Sequence, residues 1–341
     1  MKIFIRLFLF ACLSAHSLAQ THFNVLVYHH VSENSPASTS VSPAKFREHL
    51  QFFKDNQFPV IALDEALSAV VQNKTLPKNA IAITFDDAYR SIYHNAFPLL
   101  TEFDYPFTIF AATDPIDQKF ADMLTWDQLR EMKQAGVIIA NHSRDHGYLV
   151  RHRSLDELWL AQTRLNIEYA QQRLIDELGN DIPNWFAYPY GEFSHSLQAL
   201  ISEMGYVGFA QHSGGVNSAS NFTALPRFAA AGIYANTKTL KTKIESVPMP
   251  IDESNLSDML TDNKQPRFHA ILTDMSDMNS TVNCFVDGQW QDTVWTGQQS
   301  FELVSTEPLS QGRHRYNCTS PSKTLDAFYW YSKPWLIQTK E

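Results

Sequence analysis

The chain is poor in cysteine and has no long apolar run beyond its first nineteen residues. Cysteine occurs 3 times in 341 residues, which excludes a scaffold held together by many disulfides. No stretch after residue 19 approaches the roughly 18 apolar residues that a membrane-spanning helix requires. The formal net charge is −9 and no run of Lys and Arg is present, so nucleic acid is not an expected partner. Internal repeats and low-complexity tracts are also lacking.

The N-terminal residues have the pattern of a secretory signal peptide. Lys2 and Arg6 precede the apolar run 7–13, and the small residues around Ala19 suit cleavage by signal peptidase. We therefore predict a signal peptide over residues 1–19 and an exported chain, either periplasmic or extracellular. Association with the cell envelope is compatible with this prediction.

The last quarter of the chain reads as a separate β domain. Residues 248–266 are rich in Pro, Asp, Ser and Asn, and we interpret them as a linker. Short β-type runs separated by turn residues follow, which predicts a small antiparallel β-sandwich over 267–341. Cys284 and Cys318 lie on two of these runs, and an isolated pair in an exported protein predicts one disulfide.

Residues 20–247 alternate strand-like and helix-like segments. The strand candidates are short, continuous apolar runs, as expected for parallel strands buried on both faces; they are 24–28, 80–85, 107–111, 137–140, 185–188, 206–210 and 227–231. Helix-start signals occur at Ser42-Pro43, at Thr125, and at a capping box over 154–157. This alternation predicts an α/β fold, a distorted (β/α) barrel with its chemistry at the strand ends.

Two polar motifs follow directly after two of these predicted strands. Asp86 and Asp87 end the run 80–85, while His142 and His146 follow the run 137–140. A catalytic zinc site takes three protein ligands and keeps one position open, so the two imidazoles and Asp87 form a plausible ligand set. Adjacent residues of an extended chain point in opposite directions, which leaves Asp86 free to act as a general base on water. Zinc is the expected ion, although such ligands accept other first-row metals.

These motifs resemble those of the polysaccharide deacetylase family, the carbohydrate esterases with a NodB-type domain. The family carries T-F-D-D and H-[ST]-x-x-H in this order, matched here by 84–87 and 142–146, and an aromatic-Pro-Tyr-Gly segment, matched by 188–191. The resemblance implies that Asp86 is the catalytic base and that Asp87, His142 and His146 bind the metal. It further implies that the backbone N–H of Tyr190 contributes to the oxyanion hole.

The same resemblance assigns the residues that would contact substrate and leaving group. The Tyr190 ring and Pro189 would line the groove, and Trp126 lies near where the family has an aromatic groove wall. Tyr28-His29-His30 resembles the branch that contains exported poly-N-acetylglucosamine deacetylases, which makes His29 the first candidate for the general acid. His30 is the alternative and His212 the third candidate.

One family feature is missing from its usual place. Many members have an arginine shortly before the third segment, where this chain has Trp185-Phe186-Ala187. Either another group orients Asp86 or its pKa is set in a different way, and the orienting role is left unassigned. Arg227 precedes a late strand. It could brace a carboxylate or form a structural ion pair, and the sequence favours neither role.

The sequence as a whole predicts a metal-dependent hydrolase that removes N-acetyl groups from an N-acetylglucosamine-containing glycan and releases acetate. An O-acetyl esterase or a peptidoglycan or chitin deacetylase with the same site is an alternative. An inactive glycan-binding relative is another, although the intact Asp86 argues against it because metal binding requires only Asp87.

Overall fold

A computed structural model describes residues 19–151 and 154–338. The predicted signal peptide lies outside the described residues except for Ala19. No helix in the described ranges is long and apolar enough to cross a membrane.

The N-terminal part of the described chain contains thirteen strands and eight helices. The strands are β1 (Ala19–Gln20), β2 (His22–Tyr28), β3 (His30–Val31), β4 (Ser40–Val41), β5 (Leu76–Pro77), β6 (Ile81–Phe85), β7 (Phe107–Ala111), β8 (Ile138–Asn141), β9 (Trp185–Ala187), β10 (Val207–Phe209), β11 (Gly215–Asn217), β12 (Phe228–Ala229) and β13 (Val247–Pro248). The helices are α1 (Pro43–Asp55), α2 (Leu63–Val71), α3 (Phe97–Phe103), α4 (Thr113–Asp117), α5 (Trp126–Gln134), α6 (Glu157–Leu178), α7 (His195–Glu203) and α8 (Thr237–Ile244).

A curled sheet in the order β10-β9-β8-β7-β6-β2-β11 forms the centre of this part, and β12 also pairs with β2. Every pairing in it is parallel except that of β11 with β2. The α/β barrel-type fold predicted from the sequence is confirmed. The strands are apolar on both faces because helices cover the outside and side chains fill the inside, as in parallel sheets generally.

Two of the predicted helix starts are confirmed and one is wrong. The Ser42 side chain accepts a hydrogen bond from Lys45 N, and Thr125 forms a capping box with Gln128. Helix α6 is capped by Asp156, whose side chain accepts from Trp159 N, and not by a capping box that begins at Ser154. Asp156 caps the helix because it is adjacent to the first helical turn and its carboxylate lies at the positive end of the helix dipole.

The C-terminal part consists of two sheets packed around one apolar core. Its strands are β14 (Leu260–Thr261), β15 (Arg267–Ile271), β16 (Asn283–Val286), β17 (Gln289–Gln291), β18 (Val294–Trp295), β19 (Ser300–Val304), β20 (Gly312–Pro321) and β21 (Phe328–Ile337). One sheet has the order β13-β21-β20-β16-β17, with β14 also on β21, and the other has the order β15-β19-β18. The expected antiparallel sheets are therefore present.

The predicted disulfide joins Cys284 of β16 to Cys318 of β20, directly opposite each other in the ladder. Both cysteines are fully buried. Strands β13 and β14 begin and end within or beside residues 248–266, the segment interpreted as a linker, and both pair with β21. This segment therefore adds strands to the C-terminal sheet as well as connecting the two parts.

Candidate active site

Asp86 and Asp87 follow β6, and their backbone directs the two carboxylates to different partners. Asp86 N donates to Tyr28 O at 3.0 Å, which extends the pairing of β6 with β2 by one residue. Asp87 then adopts a φ of 72°. A positive φ is unfavourable for a residue other than glycine and concentrates at functional sites. This change in backbone direction at Asp87 explains why the two adjacent carboxylates contact different partners.

The histidine motif after β8 is a tight turn built by its own polar side chains. Asn141 Oδ1 accepts from Ser143 N at 2.8 Å, and Ser143 Oγ accepts from His146 N at 3.0 Å. Ser143 and His146 have positive φ values of 71° and 53°. This turn places the rings of His142 and His146 with their centroids 4.8 Å apart, with three residues between them in the sequence.

The two motifs meet at one point. Oδ1 of Asp87 lies 3.1 Å from His142 Nε2 and 2.9 Å from His146 Nε2. One donor atom from each of the three residues lies within 4.8 Å of the others, so the group could bind a metal ion. The structure thus brings together the three residues that the sequence predicts as ligands.

The hydrogen-bond partners of His142 suit a cation at this cluster. His142 Nδ1 lies 2.7 Å from Ala187 O, which can only accept, so Nδ1 carries a proton. In neutral imidazole, Nε2 would then present its lone pair to the Asp87 carboxylate. A metal ion removes that conflict, and a carbonyl on the far nitrogen is the usual way to orient a metal-binding histidine. The pKa of His142 also indicates that positive charge is favoured here. Burial alone would lower this pKa, but Asp87 and Asp86 raise it above its ordinary value.

Arg227 holds Asp86 from behind, and this supplies the bracing group that the sequence left open. Its Nη1 and Nη2 donate to Oδ1 and Oδ2 of Asp86 at 2.7 and 2.8 Å, and both side chains are fully buried. Burial would raise the pKa of Asp86, but Arg227 outweighs it and keeps that pKa below its usual value. Asp86 is therefore an ionised carboxylate at neutral pH.

Gln211 is a second partner of Asp86, which the sequence gave no reason to select. Its Nε2 donates to Asp86 Oδ2 at 3.1 Å. Gly191 makes this approach possible: it has a φ of 69°, and a Cβ there would lie 2.6 Å from the Cβ of Gln211. The glycine that ends the 188–191 motif is thus required by close packing against the residue that contacts the base.

The structure separates the three histidines considered as general acid. His29 lines the cavity above Asp87 and His146, and its charge lowers the pKa of both Asp86 and Asp87. His30 is buried and stacks on Tyr89 with centroids 3.6 Å apart, and His30 is not among the residues that line that cavity. Burial, with the nearby charges of Lys333, Arg315 and Arg227, lowers the pKa of His212 to about 3. His212 is therefore neutral at pH 7, which disfavours it as a donor.

Tyr190 faces the cluster, whereas Pro189 and Trp126 do not reach it. Tyr190 has a φ of 60°, and its ring lies 4.7 Å from His146 and stacks on Tyr148 at 4.1 Å. Pro189 is buried in the turn that presents Tyr190. Trp126 Nε1 donates to Asp117 at 2.8 Å, and Arg173 lies over the indole ring, so Trp126 supports α5 and α6 and lines neither cavity near the cluster.

Two cavities meet over the cluster. The larger has a volume of about 540 Å³ and includes His29, Tyr190 and Gln211 in its lining. The smaller, of about 290 Å³, is walled by Pro115, Phe120 and Met123. Both contain Asp87, Tyr89 and His146 in their walls. A groove therefore passes across the candidate metal ligands, with one polar end and one apolar end.

A comparison of the sequence with protein-family models matches part of the chain to one family. Residues 73–209 match the family model for polysaccharide deacetylases, and this range contains both motifs of the cluster. We call the part of the chain that contains this range the deacetylase domain, after the family model that it matches. His29 and Arg227 lie outside the matched range of the deacetylase domain, yet the curled sheet brings both to Asp86 and Asp87.

Relatives of the deacetylase domain include two enzymes named poly-beta-1,6-N-acetyl-D-glucosamine N-deacetylase. The Escherichia coli K12 protein is 25% identical over 256 residues, which cover 64% of this chain and 37% of that protein. The Staphylococcus aureus MRSA252 protein is 25% identical over 223 residues, covering 63% of this chain and 76% of that one. This chain therefore spans little more than a third of the Escherichia coli enzyme.

A solved structure, that of IcaB from Ammonifex degensii, shares the fold of the deacetylase domain. It superposes with a TM-score of 0.59 at 21% identity, over 67% of this chain and 98% of that one. At this identity the likeness establishes the fold only. About a third of this chain has no counterpart in it.

Proposed function

We propose that this chain is a metal-dependent hydrolase that removes N-acetyl groups from an N-acetylglucosamine-containing glycan. The proposal rests on two features that meet at one point. One is the Asp87–His142–His146 cluster, which could bind a metal ion, and the other is the ionised Asp86 carboxylate held by Arg227. Metal binding alone does not require Asp86. A buried, braced carboxylate beside a metal site is what general-base catalysis on water requires.

Asp87, His142 and His146 would hold the metal, with zinc as the expected ion. Once bound, the ion would polarise the acetyl carbonyl and lower the pKa of water at the site. The structure supports an open position for substrate there, because both cavities reach Asp87 and His146.

The chain's own residues supply the proton transfers. Asp86 accepts a proton from the attacking water, whose oxygen bonds to the acetyl carbonyl carbon. The backbone N–H of Tyr190 would stabilise the negative charge that develops on the carbonyl oxygen, which is the role of an oxyanion hole. His29 then donates a proton to the sugar nitrogen as the C–N bond breaks, and acetate and a free amine leave.

Two observations support the glycan assignment. The named relatives from Escherichia coli and Staphylococcus aureus act, by their names, on poly-β-1,6-N-acetylglucosamine. The stacked rings of Tyr148 and Tyr190 offer a flat apolar face beside the cluster, which suits a sugar ring. We further propose that the chain is exported, because the buried disulfide requires an oxidising compartment for its formation.

Acetate release from N-acetylglucosamine oligomers tests the proposal. We expect release by the zinc-loaded wild type, loss of release on chelation, and recovery on adding zinc. Asp86→Asn should abolish release while zinc binding is retained, since its carboxylate contacts Arg227 and not the cluster. Asp104→Asn is the matched control, because Asp104 is exposed and occupies a left-handed turn that asparagine tolerates. Full activity in Asp86→Asn would contradict the mechanism.

A further inference from the structure

The C-terminal β domain closes one side of the catalytic cavity. Asp287, Arg313, His314, Arg315 and Pro334 line the same cavity of about 540 Å³ as His29 and Asp87. Arg313 also donates to the backbone oxygen of Tyr190. The IcaB structure is covered almost entirely by two thirds of this chain, so a wall of this kind is an addition to the shared fold.

Arg315 in this wall has a guanidinium without a carboxylate partner among the described residues. The acidic side chain in the wall, Asp287, already forms hydrogen bonds with two other groups. Its Oδ2 lies 2.6 Å from His314 Nδ1, and its Oδ1 accepts from the backbone N of Arg315 at 2.9 Å. The Arg315 guanidinium lies instead 6.0 Å from the ring centroid of Tyr234.

A second uncompensated cation lies on the same tyrosine. Lys243 Nζ is 4.8 Å from the Tyr234 ring centroid and donates to Ala229 O at 2.8 Å. Burial, together with the charge of Arg315, lowers the pKa of Lys243 to about 8. Within residues 19–151 and 154–338, no ion pair neutralises either cation. Two like charges therefore lie against the same ring, and a bound anion would be attracted to both.

The acidic groups of the cavity are otherwise committed. Asp87 belongs to the metal ligands, and Asp287 is hydrogen-bonded to His314 and to the backbone of Arg315. In the wall supplied by the β domain, the two guanidiniums of Arg313 and Arg315 outnumber the one carboxylate, Asp287, although the chain has a net charge of −9. A guanidinium at a cavity wall recognises a carboxylate by paired, charge-assisted hydrogen bonds.

We propose that Arg315, supported by the Tyr234 ring, forms a subsite for a carboxylate carried by the glycan on a sugar next to the one that is deacetylated. This inference rests on the proposed function and narrows its substrate class from neutral N-acetylglucosamine polymers to acidic N-acetylated glycans. The carboxylate belongs either to a hexuronic acid or to the lactyl ether of a muramic acid, and both present the same anion to Arg315.

Binding tests the subsite without turnover. The wild-type chain is titrated, in the presence of a chelator, with three oligosaccharides of equal length: neutral N-acetylglucosamine, alternating N-acetylglucosamine–glucuronate, and N-acetylglucosamine–muramate. We expect at least one acidic oligosaccharide to bind about tenfold more tightly than the neutral one, with an advantage that falls as salt rises. Equal affinities at low salt would overturn the subsite.

Variants assign the effect to Arg315. Arg315→Gln should remove most of the advantage of the acidic oligosaccharide, and Arg315→Lys should retain part of it because the charge remains but the fork is lost. Arg267→Gln is the matched control, since Arg267 is an exposed arginine of the same domain that pairs with Glu302. An advantage that persists in Arg315→Gln would overturn the assignment.

Turnover by the zinc-loaded enzyme distinguishes this inference from the proposed function. We expect the ratio of kcat/KM on acidic and neutral oligosaccharides to fall about tenfold in Arg315→Gln. Acetate release from both oligosaccharides with a ratio unaffected by Arg315→Gln would refute the subsite and keep the deacetylase. Binding of acidic oligosaccharides that depends on Arg315, without acetate release from any of them, would refute the deacetylase and keep the subsite.

Discussion

Replacing Arg227 by glutamine is the most informative perturbation of the candidate active site. Arg227 and Asp86 form a bidentate pair in which both side chains are inaccessible to solvent. Removing the guanidinium leaves the Asp86 carboxylate buried with only Gln211 as a remaining side-chain donor among the described residues. Breaking a buried pair in this way costs about 3–5 kcal/mol, because the second charge is left uncompensated.

The same change reverses the direction in which the pKa of Asp86 is shifted. In the wild type Arg227 keeps this pKa below its usual value, so the stabilisation it brings is present at neutral pH and lost as acid protonates Asp86. Without Arg227, burial dominates and raises the pKa above that of the unfolded chain. Asp86 of the variant then favours folding only at low pH, and this contribution is lost as pH rises.

Two measurements check these expectations. The acid limb of the pH profile of kcat/KM should move to higher pH in Arg227→Gln, because a protonated Asp86 is not a base. Denaturant unfolding should show a stability deficit that is larger at pH 7 than at pH 5. Arg47→Gln is the matched control: Arg47 also donates twice to one carboxylate, that of Glu102, but both side chains are about half exposed, so its loss should leave the stability almost unchanged.

An Arg227→Gln variant with an unshifted acid limb of kcat/KM, and with a stability deficit that is equal at pH 7 and pH 5, would contradict this role of Arg227. Such a result would mean that Asp86 is not held ionised by Arg227. Its bracing would then have to come from elsewhere in the site.

Three further outcomes follow from the structure. His29→Ala should lower kcat about a hundredfold or more, as expected for loss of a general acid. His30→Ala should mainly lower the melting temperature, because the His30 ring packs on Tyr89. The opposite result for the two variants would exchange the roles of the two histidines. Adding zinc to chelated protein at about a hundredfold excess over its dissociation constant should raise the free energy of unfolding by about 2.7 kcal/mol, and an unchanged transition would argue against binding at the cluster. Cys284→Ser with Cys318→Ser should cost about 3–4 kcal/mol in denaturant unfolding, because a 34-residue loop loses its constraint; a cost near zero would show that the sandwich needs no crosslink.

The sequence predicts the buried strands of the sheet well because they are uniformly apolar. All seven strand candidates of the first part correspond to strands of the curled sheet, with ends shifted by a few residues. It does not predict β11 (Gly215–Asn217), which is three residues long and contains glycine and asparagine. Such a strand forms only because β2 offers an edge to pair with. The short edge strands β17 and β18 escape prediction for the same reason.

The metal cluster is predictable because its residues lie in compact motifs, whereas the group that braces Asp86 is not. Arg227 is 141 residues away from Asp86, and no local pattern separates it from a structural arginine. The pairing of β12 with β2 places Arg227 there, and this pairing is a property of the assembled sheet. The wall containing Arg315 depends likewise on the docking of the β domain against the deacetylase domain.

The most direct test of the central claim is to count the products of one reaction. N-acetylglucosamine oligomers incubated with the zinc-loaded chain should yield acetate and primary amine in equal numbers, and mass spectra should show the loss of acetyl groups with the glycosidic bonds intact. Acetate release from an O-acetylated glycan, without release from the N-acetylglucosamine oligomers, would instead identify an O-acetyl esterase. No acetate from neutral or acidic oligomers, with zinc bound, would contradict the assignment of Asp86 as a catalytic base.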